Sequence, residues 1–183
     1  MRTATTANEL RRIGTLTDVG GFREKVLELR RRADDFCADK PFFVVVASCA
    51  RSNAEQLENW KVGRLQTSAD PAPFGTWKVV GKVVTKVRPG DSAHNLRAAA
   101  DFGFIDPKGP GRADDEYVPD TVVDPKDPTG RRRLLHPAWD WLMREAEKVG
   151  IEAPGRRWGW DYGHLQLLGW ANLRNSGTLI AVP

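Results

Sequence analysis

The chain has 183 residues, of which 40% are hydrophobic and 28% charged, a composition that favours a folded domain with a sizeable core and excludes a disordered chain. No apolar run approaches the ~20 residues of a membrane-spanning helix, so stable membrane insertion is not expected. The formal net charge of +4 at pH 7 is compatible with an anionic partner, but it does not choose among nucleic acid, a membrane surface and a cell-wall polymer.

The N-terminal residues and the two cysteines bear on where the protein is made. Residues 1–20 are polar, predict a loosely held arm and lack the apolar core of a signal peptide, so we expect synthesis in the cytoplasm. Cys37 and Cys49 lack the CxxC spacing of a zinc ribbon or redox pair, and we expect both to be reduced and buried. Residues 21–183 are expected to form a single domain, and the protein a monomer.

The first half of this domain combines helices with a strand. Apolar residues at helical spacing predict a helix over 21–37, whose outward face carries three consecutive arginines at 30–32. The β-branched and aromatic run over 41–48 predicts a central strand. A capping-box pattern that begins at Ser52 predicts a helix over 52–64. The arginines are expected to form a solvated helix face rather than a nucleic-acid site.

The second half of the domain is predicted to complete a small sheet. Residues 77–87, 98–104 and 164–173 predict strands. Residues 137–150 begin with a proline and end with a glycine, as a helix does. Between the predicted strand over 98–104 and this helix, residues 105–135 are rich in Pro, Gly, Asp and Arg and predict a long loop. The predicted fold class is therefore α+β, with helices packed on a small, largely antiparallel sheet that carries the site on one face.

Two histidines and two aspartates form the candidate site. Asp101 lies among small residues in a predicted strand, and because an unpaired buried carboxylate is costly, we expect a cation or metal ion beside it. His94 lies in a turn before that strand, and a loop that folds back can bring it to the same ion. His164 opens a later strand and would complete the two-histidine, one-carboxylate set of many catalytic zinc sites. Asp161, just before His164, would then be free to act as general base.

The spacing of these residues leaves other interpretations open. A lone histidine in a turn, such as His94, is usually a surface residue. Asp101 can pair with one of the many arginines of the chain instead of a metal ion. His136, which lies next to the long loop, is expected to be structural or exposed.

Three short segments resemble a known family of zinc peptidases. "SAHNLRAAAD", residues 92–101, resembles the SxHxxGxAxD motif of the zinc D-alanyl-D-alanine carboxypeptidases and the related phage L-alanyl-D-glutamate endopeptidases. "DYGH", residues 161–164, is similar to the second family motif, and "CARSNAEQ", residues 49–56, resembles the YRSxxEQ stretch after the first strand. The three motifs occur in family order within residues 22–170, and together they are specific.

The resemblance implies a zinc site and a set of catalytic residues. One zinc ion per chain would be held by His94, Asp101 and His164. Asp161 would be the catalytic base, and Arg51 would stabilise the oxyanion, which needs a fixed positive charge where a tetrahedral intermediate forms. Two further residues would support the site: Gln56 and Ser92.

By resemblance, the substrate is the stem peptide of bacterial peptidoglycan. Cleavage between L-Ala and D-Glu, as by phage endolysins, is favoured, and a D-alanyl-D-alanine carboxypeptidase is the close alternative. An alternative of another class is a non-catalytic zinc-bound module that binds the cell wall or forms part of a virion, although the acidic Asp161 favours an enzyme. Action on the wall would follow release through a membrane-permeabilising partner of the holin type. Nucleic acid is not an expected partner, because only the mild basicity and the arginine runs favour it.

One position departs from the family pattern. The glycine of the first motif is Arg97 here, and a glycine at such a position often serves a backbone conformation with positive φ. Either the arginine strains the loop, or the loop has adapted and Arg97 contacts substrate carboxylates through its planar guanidinium. We favour adaptation, because an uncompensated strained loop beside a metal should seldom persist.

Overall fold

The computed structural model describes residues 6–66, 77–81, 85, 87–88, 90–107 and 116–179. Its helices are α1 (Ala7–Ile13), α2 (Phe22–Cys37), α3 (Asn53–Lys61), α4 (Pro137–Lys148), α5 (Gly155–Trp158) and α6 (Trp170–Asn175). Its strands are β1 (Phe43–Ser48), β2 (Arg64–Gln66), β3 (Trp77–Val79), β4 (Ala99–Asp106), β5 (Glu116–Tyr117), β6 (Thr121–Val123), β7 (Arg133–Leu135), β8 (Ile151–Glu152) and β9 (His164–Leu167). Short 3₁₀ turns cover Val19–Gly21 and Ala93–Leu96.

The main sheet has the strand order β1-β4-β9-β8, with β5 paired to the far end of β4, and the pairs in it are antiparallel. Helices pack against this sheet, which confirms the predicted α+β class with a small antiparallel sheet. The register of β4 and β9 sets Asp101 directly opposite His164. Two residues that are far apart in the sequence are thereby neighbours across one pair of strands.

The apolar core lies on the opposite face of β4 from Asp101. Phe104 packs edge-on against Phe36 of α2 and Trp139 of α4, at ring-centroid distances of 6.2 and 5.0 Å. Because side chains alternate between the faces of a strand, Asp101 points away from these helices. No helix within the described ranges combines the length and the apolar character that crossing a membrane requires.

Helix α1 corrects the prediction of a loosely held N-terminal arm. Glu9 Oε1 accepts a hydrogen bond from the Val46 amide at 2.8 Å, and Arg12 Nη1 donates to the Val46 carbonyl at 3.1 Å. Among the described strands β1 pairs only with β4, so β1 is an edge strand and not the predicted central one. The helix satisfies backbone groups along that edge and protects it from pairing with another chain. Residues 1–5 lie outside the described residues.

The arginine run of α2 is also placed differently from the prediction. Arg30 is 1% exposed and forms ion pairs with Glu9 and Asp34, instead of facing solvent. The other two arginines of the run are paired with Glu28 on the helix surface. Sequence periodicity misplaced Arg30 because its buried partner, Glu9, lies on a helix that the sequence did not predict.

Two predicted segments end differently in the structure. The predicted loop over 105–135 contains the short strands β5, β6 and β7, and β4 itself continues to Asp106; residues 108–115 of that range lie outside the described residues. The predicted strand over 164–173 ends at Leu167, because Gly169 adopts a left-handed conformation with a φ of 72° and begins α6. The second difference lies beside the candidate site, whose lining includes Gly169.

Candidate metal centre

Three separate elements bring the predicted ligands together. His94 lies in the 3₁₀ turn that Ser92 caps by accepting a hydrogen bond from the His94 amide at 3.3 Å. Asp101 lies on β4 and His164 is the first residue of β9. The structure thus brings together all three predicted ligands, and Ser92 caps the turn that carries the first of them.

The ligand atoms converge closely enough to hold one metal ion. Asp101 Oδ1 lies 3.1 Å from His94 Nε2 and 3.0 Å from His164 Nδ1, and the two nitrogens lie 3.3 Å apart. A tetrahedral ion with bonds of ~2.0–2.1 Å has ligand atoms ~3.3 Å apart, which matches this triangle. The two histidines are buried, while the Asp101 side chain remains 26% exposed. The group can therefore bind a metal ion from the side of the solvent.

The first histidine is oriented by the backbone. His94 Nδ1 contacts the carbonyl oxygen of Cys49, which can only accept a hydrogen bond, so Nδ1 carries the proton and Nε2 offers its lone pair. The Cys49 thiol is not a ligand: burial raises its pKa to about 12 and keeps it protonated. Both Cys37 and Cys49 are free and buried, which confirms that prediction.

The second histidine is oriented by a chain of side chains that the sequence did not reveal in full. His164 Nε2 lies 3.2 Å from Gln166 Oε1, and Gln166 Nε2 donates to Glu152 Oε2 at 2.9 Å. The Glu152 carboxylate fixes which way the Gln166 amide points, so His164 carries its proton on Nε2 and offers Nδ1. Arg157 pairs with Glu152 at 3.0 Å on the outer side. Gln166 was predictable as a same-face neighbour of His164, but Glu152 follows only from the pairing of β8 with β9.

The electrostatics of the triad favour a bound cation. Burial of the Asp101 carboxylate would raise its pKa, but the charge and hydrogen bonds of His94 and His164 hold it well below its usual range. Burial of His164 would lower its pKa, and the hydrogen bond and charge of Asp101 raise it instead. An ionised carboxylate between two imidazoles has the negative charge that a metal ion would neutralise.

Three acceptors hold the Arg51 guanidinium beside Asp101. Its guanidinium donates to Gln56 Oε1 at 2.8 Å and Ser48 Oγ at 3.2 Å, and Nη2 lies 3.5 Å from Asp101 Oδ2. Gln56 is fully buried on α3 and donates in turn to the Val87 carbonyl at 2.9 Å. Gln56 therefore holds a permanent positive charge beside the triad.

Asp161 lies at the mouth of the same pocket, in a strained turn. Its φ is 56°, and its backbone passes so close to Gly155 that a Cβ there would lie 2.8 Å from the Asp161 carbonyl oxygen. Desolvation by the pocket walls raises the pKa of the Asp161 carboxyl even though the side chain retains solvent access, and the negative charge of Asp101 adds to this effect. A carboxylate held this way is a stronger base than an ordinary aspartate.

The pocket over the triad has a volume of about 1020 Å³ and mixes charged with aromatic side chains. Arg51, Asp161 and the three ligands line it together. Its aromatic lining residues are Trp158, Trp160 and Trp170. The sequence did not indicate these tryptophans as site residues, although two of them lie in the glycine-rich turn before His164. A pocket of this size and lining suits a small-molecule or peptide ligand.

Two predictions concern residues outside the ligand set. Arg97 has a φ of 59°, a left-handed conformation that favours glycine. Arg97 is exposed and does not line the pocket, so substrate contact, the alternative that we favoured, has no support in the geometry. His136 is structural, as expected: its side chain accepts a hydrogen bond from the Ala138 amide and caps α4.

The fold and the site define an α+β protein with a candidate metal centre in an open pocket. Comparison of the sequence with models of known protein families found no matching family, and a search of curated proteins found no matching relative. The function of this chain is therefore argued from the chemistry of the site rather than from homology to known proteins.

Proposed function

We propose that this protein is a zinc-dependent hydrolase that cleaves the stem peptide of peptidoglycan between L-Ala and D-Glu. The observation that carries the proposal is the convergence of His94 Nε2, Asp101 Oδ1 and His164 Nδ1 within 3.3 Å of one another in a pocket shared with Asp161 and Arg51. Two imidazoles and one carboxylate favour zinc over magnesium or calcium, which prefer oxygen ligands. The three-ligand set leaves the fourth position to solvent or substrate.

The substrate class is supported by the motifs rather than by the metal site alone. The segments over 92–101 and 161–164 resemble the two ligand motifs of the zinc peptidases that act on stem peptides, and the segment over 49–56 resembles a third. We also propose that this chain has the same fold as those zinc peptidases. Action on the wall would follow release from the cytoplasm by a membrane-permeabilising partner.

The residues divide the chemistry of peptide hydrolysis among themselves. A zinc ion bound at the triad would polarise the scissile carbonyl and lower the pKa of a water molecule. Asp161 accepts the proton of the attacking water and delivers it to the amine that leaves when the C–N bond breaks. Arg51 donates hydrogen bonds to the oxyanion from a position that Gln56 has already fixed, so little reorganisation accompanies the reaction.

The experiment is digestion of purified peptidoglycan by the zinc-loaded protein, with new chain ends identified by mass spectrometry. New D-Glu amino termini are the expected product, and free D-Ala without them would replace the proposal by the carboxypeptidase alternative. Zinc-loaded Asp161→Asn is the matched control and should release neither. If the zinc-loaded wild type releases no product while binding the polymer, a non-catalytic wall-binding module is the correct description.

A further inference from the structure

Residues 9–17, which we call the N-terminal brace, hold β1 where that strand is irregular. Val46 and Ser48 pair with adjacent residues of β4, so two steps along β1 match one step along β4 and the strand bulges between them. At the start of this bulge Glu9 Oε1 accepts a hydrogen bond from the Val46 amide, and Arg12 donates to the Val46 carbonyl. Both backbone groups of Val46 are thus bound to the brace, which fixes the bulge.

The brace makes two further contacts beyond α1. Thr15 Oγ1 donates its proton to the Arg12 carbonyl at 2.6 Å and accepts a hydrogen bond from the Ala50 amide at 3.3 Å. The Thr17 amide donates to the carbonyl of Arg97 at 2.9 Å, where the 3₁₀ turn of the candidate metal centre ends. The brace therefore holds β1 at its bulge, the chain two residues beyond β1, and the end of that turn.

Two residues between the bulge and the Thr15 contact interact with the metal centre. The Ser48 hydroxyl accepts a hydrogen bond from Arg51 at 3.2 Å, and the Cys49 carbonyl is the acceptor that orients His94 through Nδ1. A shift of this backbone would move the guanidinium and the imidazole together, because one short stretch of chain carries an acceptor for each. The brace fixes that stretch at both ends.

The brace is itself anchored, as an element that positions another must be. Ile13 and Leu16 are each 1% exposed and belong to the apolar core. The Leu16 carbonyl accepts a hydrogen bond from Arg23 of α2 at 2.8 Å, and Glu9 is paired with the buried Arg30 of the same helix at 3.1 Å. Because these contacts lead to α2 and not to the site, the brace connects the metal centre to the core of the fold.

We propose that the N-terminal brace positions His94 and Arg51, and that the Thr15 hydroxyl is the positioning group through which it acts. The part that concerns His94 requires only that the triad binds a metal ion, and the part that concerns Arg51 rests on the proposed function. Among the described strands β1 lies at an edge of the sheet, so without the brace its outward backbone groups and the Ala50 amide would exchange hydrogen bonds with water. The Cys49 carbonyl would then hold the imidazole less firmly, and the metal ion would bind a less organised site.

Zinc affinity of the full chain, measured by competition with a chelator of known affinity, tests the part that concerns His94. Thr15→Val keeps the branched shape of the side chain and removes the hydroxyl. We expect it to lower zinc affinity about 3- to 10-fold, since it acts through the partner of a ligand. Thr15→Ser keeps the hydroxyl and should restore the wild-type value. His136→Ala, which removes the cap of α4, is the control for a general loss of stability and should keep the wild-type affinity.

Two further measurements follow the groups that the brace positions. In NMR spectra of the zinc-loaded protein with isotope-labelled histidine, the Nδ1 proton of His94 should exchange with water faster in Thr15→Val than in the wild type or in Thr15→Ser. In cleavage of a soluble stem peptide at saturating zinc, Thr15→Val should lower kcat several-fold and leave KM unchanged, because Arg51 acts on the oxyanion and not on the bound substrate.

Three results would overturn the brace as a positioning element: wild-type zinc affinity and kcat in Thr15→Val, the same losses in Thr15→Ser, or equal losses in His136→Ala. Failure of the proposed function looks different. If zinc affinity falls in Thr15→Val and recovers in Thr15→Ser while the wild type cleaves no stem peptide, the brace positions His94 and the peptidase is wrong. If the wild type cleaves the peptide and Thr15→Val equals it in zinc affinity and kcat, the peptidase stands and the brace is wrong.

Discussion

His94 Nε2 and His164 Nδ1 lie 3.3 Å apart, and both face Oδ1 of Asp101. In each ring the other nitrogen is already committed, to the Cys49 carbonyl in one case and to Gln166 Oε1 in the other. Each ring can therefore turn the lone pair of its remaining nitrogen toward Oδ1, and two such lone pairs with one carboxylate oxygen form a set that a metal ion can bind. This orientation of the two rings is the structural argument for a metal ion.

Removal of either histidine ligand should abolish metal binding. We expect about one zinc ion per wild-type chain after loading, and His94→Ala and His164→Ala should retain almost none, because two remaining ligands do not hold zinc tightly. Metal analysis after gel filtration provides the measurement. His136→Ala is the control: it should keep the zinc and lose only the cap of α4, about 1 kcal/mol of stability. Full zinc content in His164→Ala would contradict the assignment.

Replacement of the proposed base should separate chemistry from metal binding. Asp161→Asn should fold and bind zinc like the wild type, since asparagine tolerates the left-handed conformation at this position, but kcat should fall at least about 100-fold because an amide cannot accept the proton. Peptide release from peptidoglycan provides the measurement. Asp18→Asn, which alters an exposed carboxylate outside the pocket, is the control and should retain full turnover. Near wild-type kcat in Asp161→Asn would remove its assignment as base.

Gln166 should contribute to zinc affinity without touching the metal. Gln166→Leu removes the acceptor of the His164 Nε2 proton, so the imidazole loses its fixed tautomer and orientation. We expect zinc affinity to fall about 10- to 100-fold, measured by competition with a chelator of known affinity. Glu152→Gln, which can still accept a hydrogen bond from Gln166, should lose less zinc affinity than Gln166→Leu. Equal zinc affinity in Gln166→Leu and the wild type would show that the chain from Glu152 to His164 has no effect on the metal.

The backbone at Arg97, rather than its side chain, should determine stability at this position. Arg97→Ala and Arg97→Gly remove the same side chain, but only glycine adopts a φ of 59° without strain. Arg97→Gly should therefore be more stable than Arg97→Ala by about 0.5–1 kcal/mol in denaturant unfolding. Both variants should keep the wild-type KM, because Arg97 does not line the pocket. A raised KM in both variants would instead indicate substrate contact.

The buried pair of Glu9 and Arg30 should make stability depend on pH. Burial would raise the pKa of the Glu9 carboxyl, but hydrogen bonds from the Thr6 and Val46 amides and from Arg30 lower it below the ordinary 4.5. The unfolded state then binds the proton more readily, so this contribution is fully present above pH 4.5 and is lost as pH falls through the lower folded pKa.

Glu9→Gln tests this contribution. Its free energy of unfolding at pH 7 should be about 1–3 kcal/mol lower than that of the wild type. The difference should shrink as pH falls below 4.5. Glu28→Gln, which removes an exposed partner of two surface arginines, should change stability far less. A difference that is constant from pH 7 to pH 3 would show that the carboxylate charge is not what stabilises the N-terminal helix.

The sequence was sufficient for residues whose roles are local. The capping box at Ser52 and the helix over Phe22–Cys37 follow from spacing within one element and are confirmed. The three candidate ligands could be proposed because each lies in a short motif, and the β4–β9 register then sets Asp101 opposite His164.

The sequence was insufficient where a role depends on pairing between distant elements. Glu152 orients His164 only through Gln166, on the neighbouring strand. Arg30 is buried because α1 brings Glu9 to it, and a helical wheel of α2 alone points it to solvent. The stacking of Trp158 on Trp160 was missed for the same reason, since only the turn at Gly159 brings the two indole rings together.

The central claim is that one metal ion is held by His94, Asp101 and His164. The most direct measurement is X-ray diffraction from a crystal of the zinc-loaded protein, recorded just above and just below the zinc absorption edge. We predict one anomalous peak that appears only above the edge, with bonds of about 2.0–2.2 Å to His94 Nε2, His164 Nδ1 and Asp101 Oδ1. No peak at this position, or a peak elsewhere while the three side chains contact one another directly, would contradict the account.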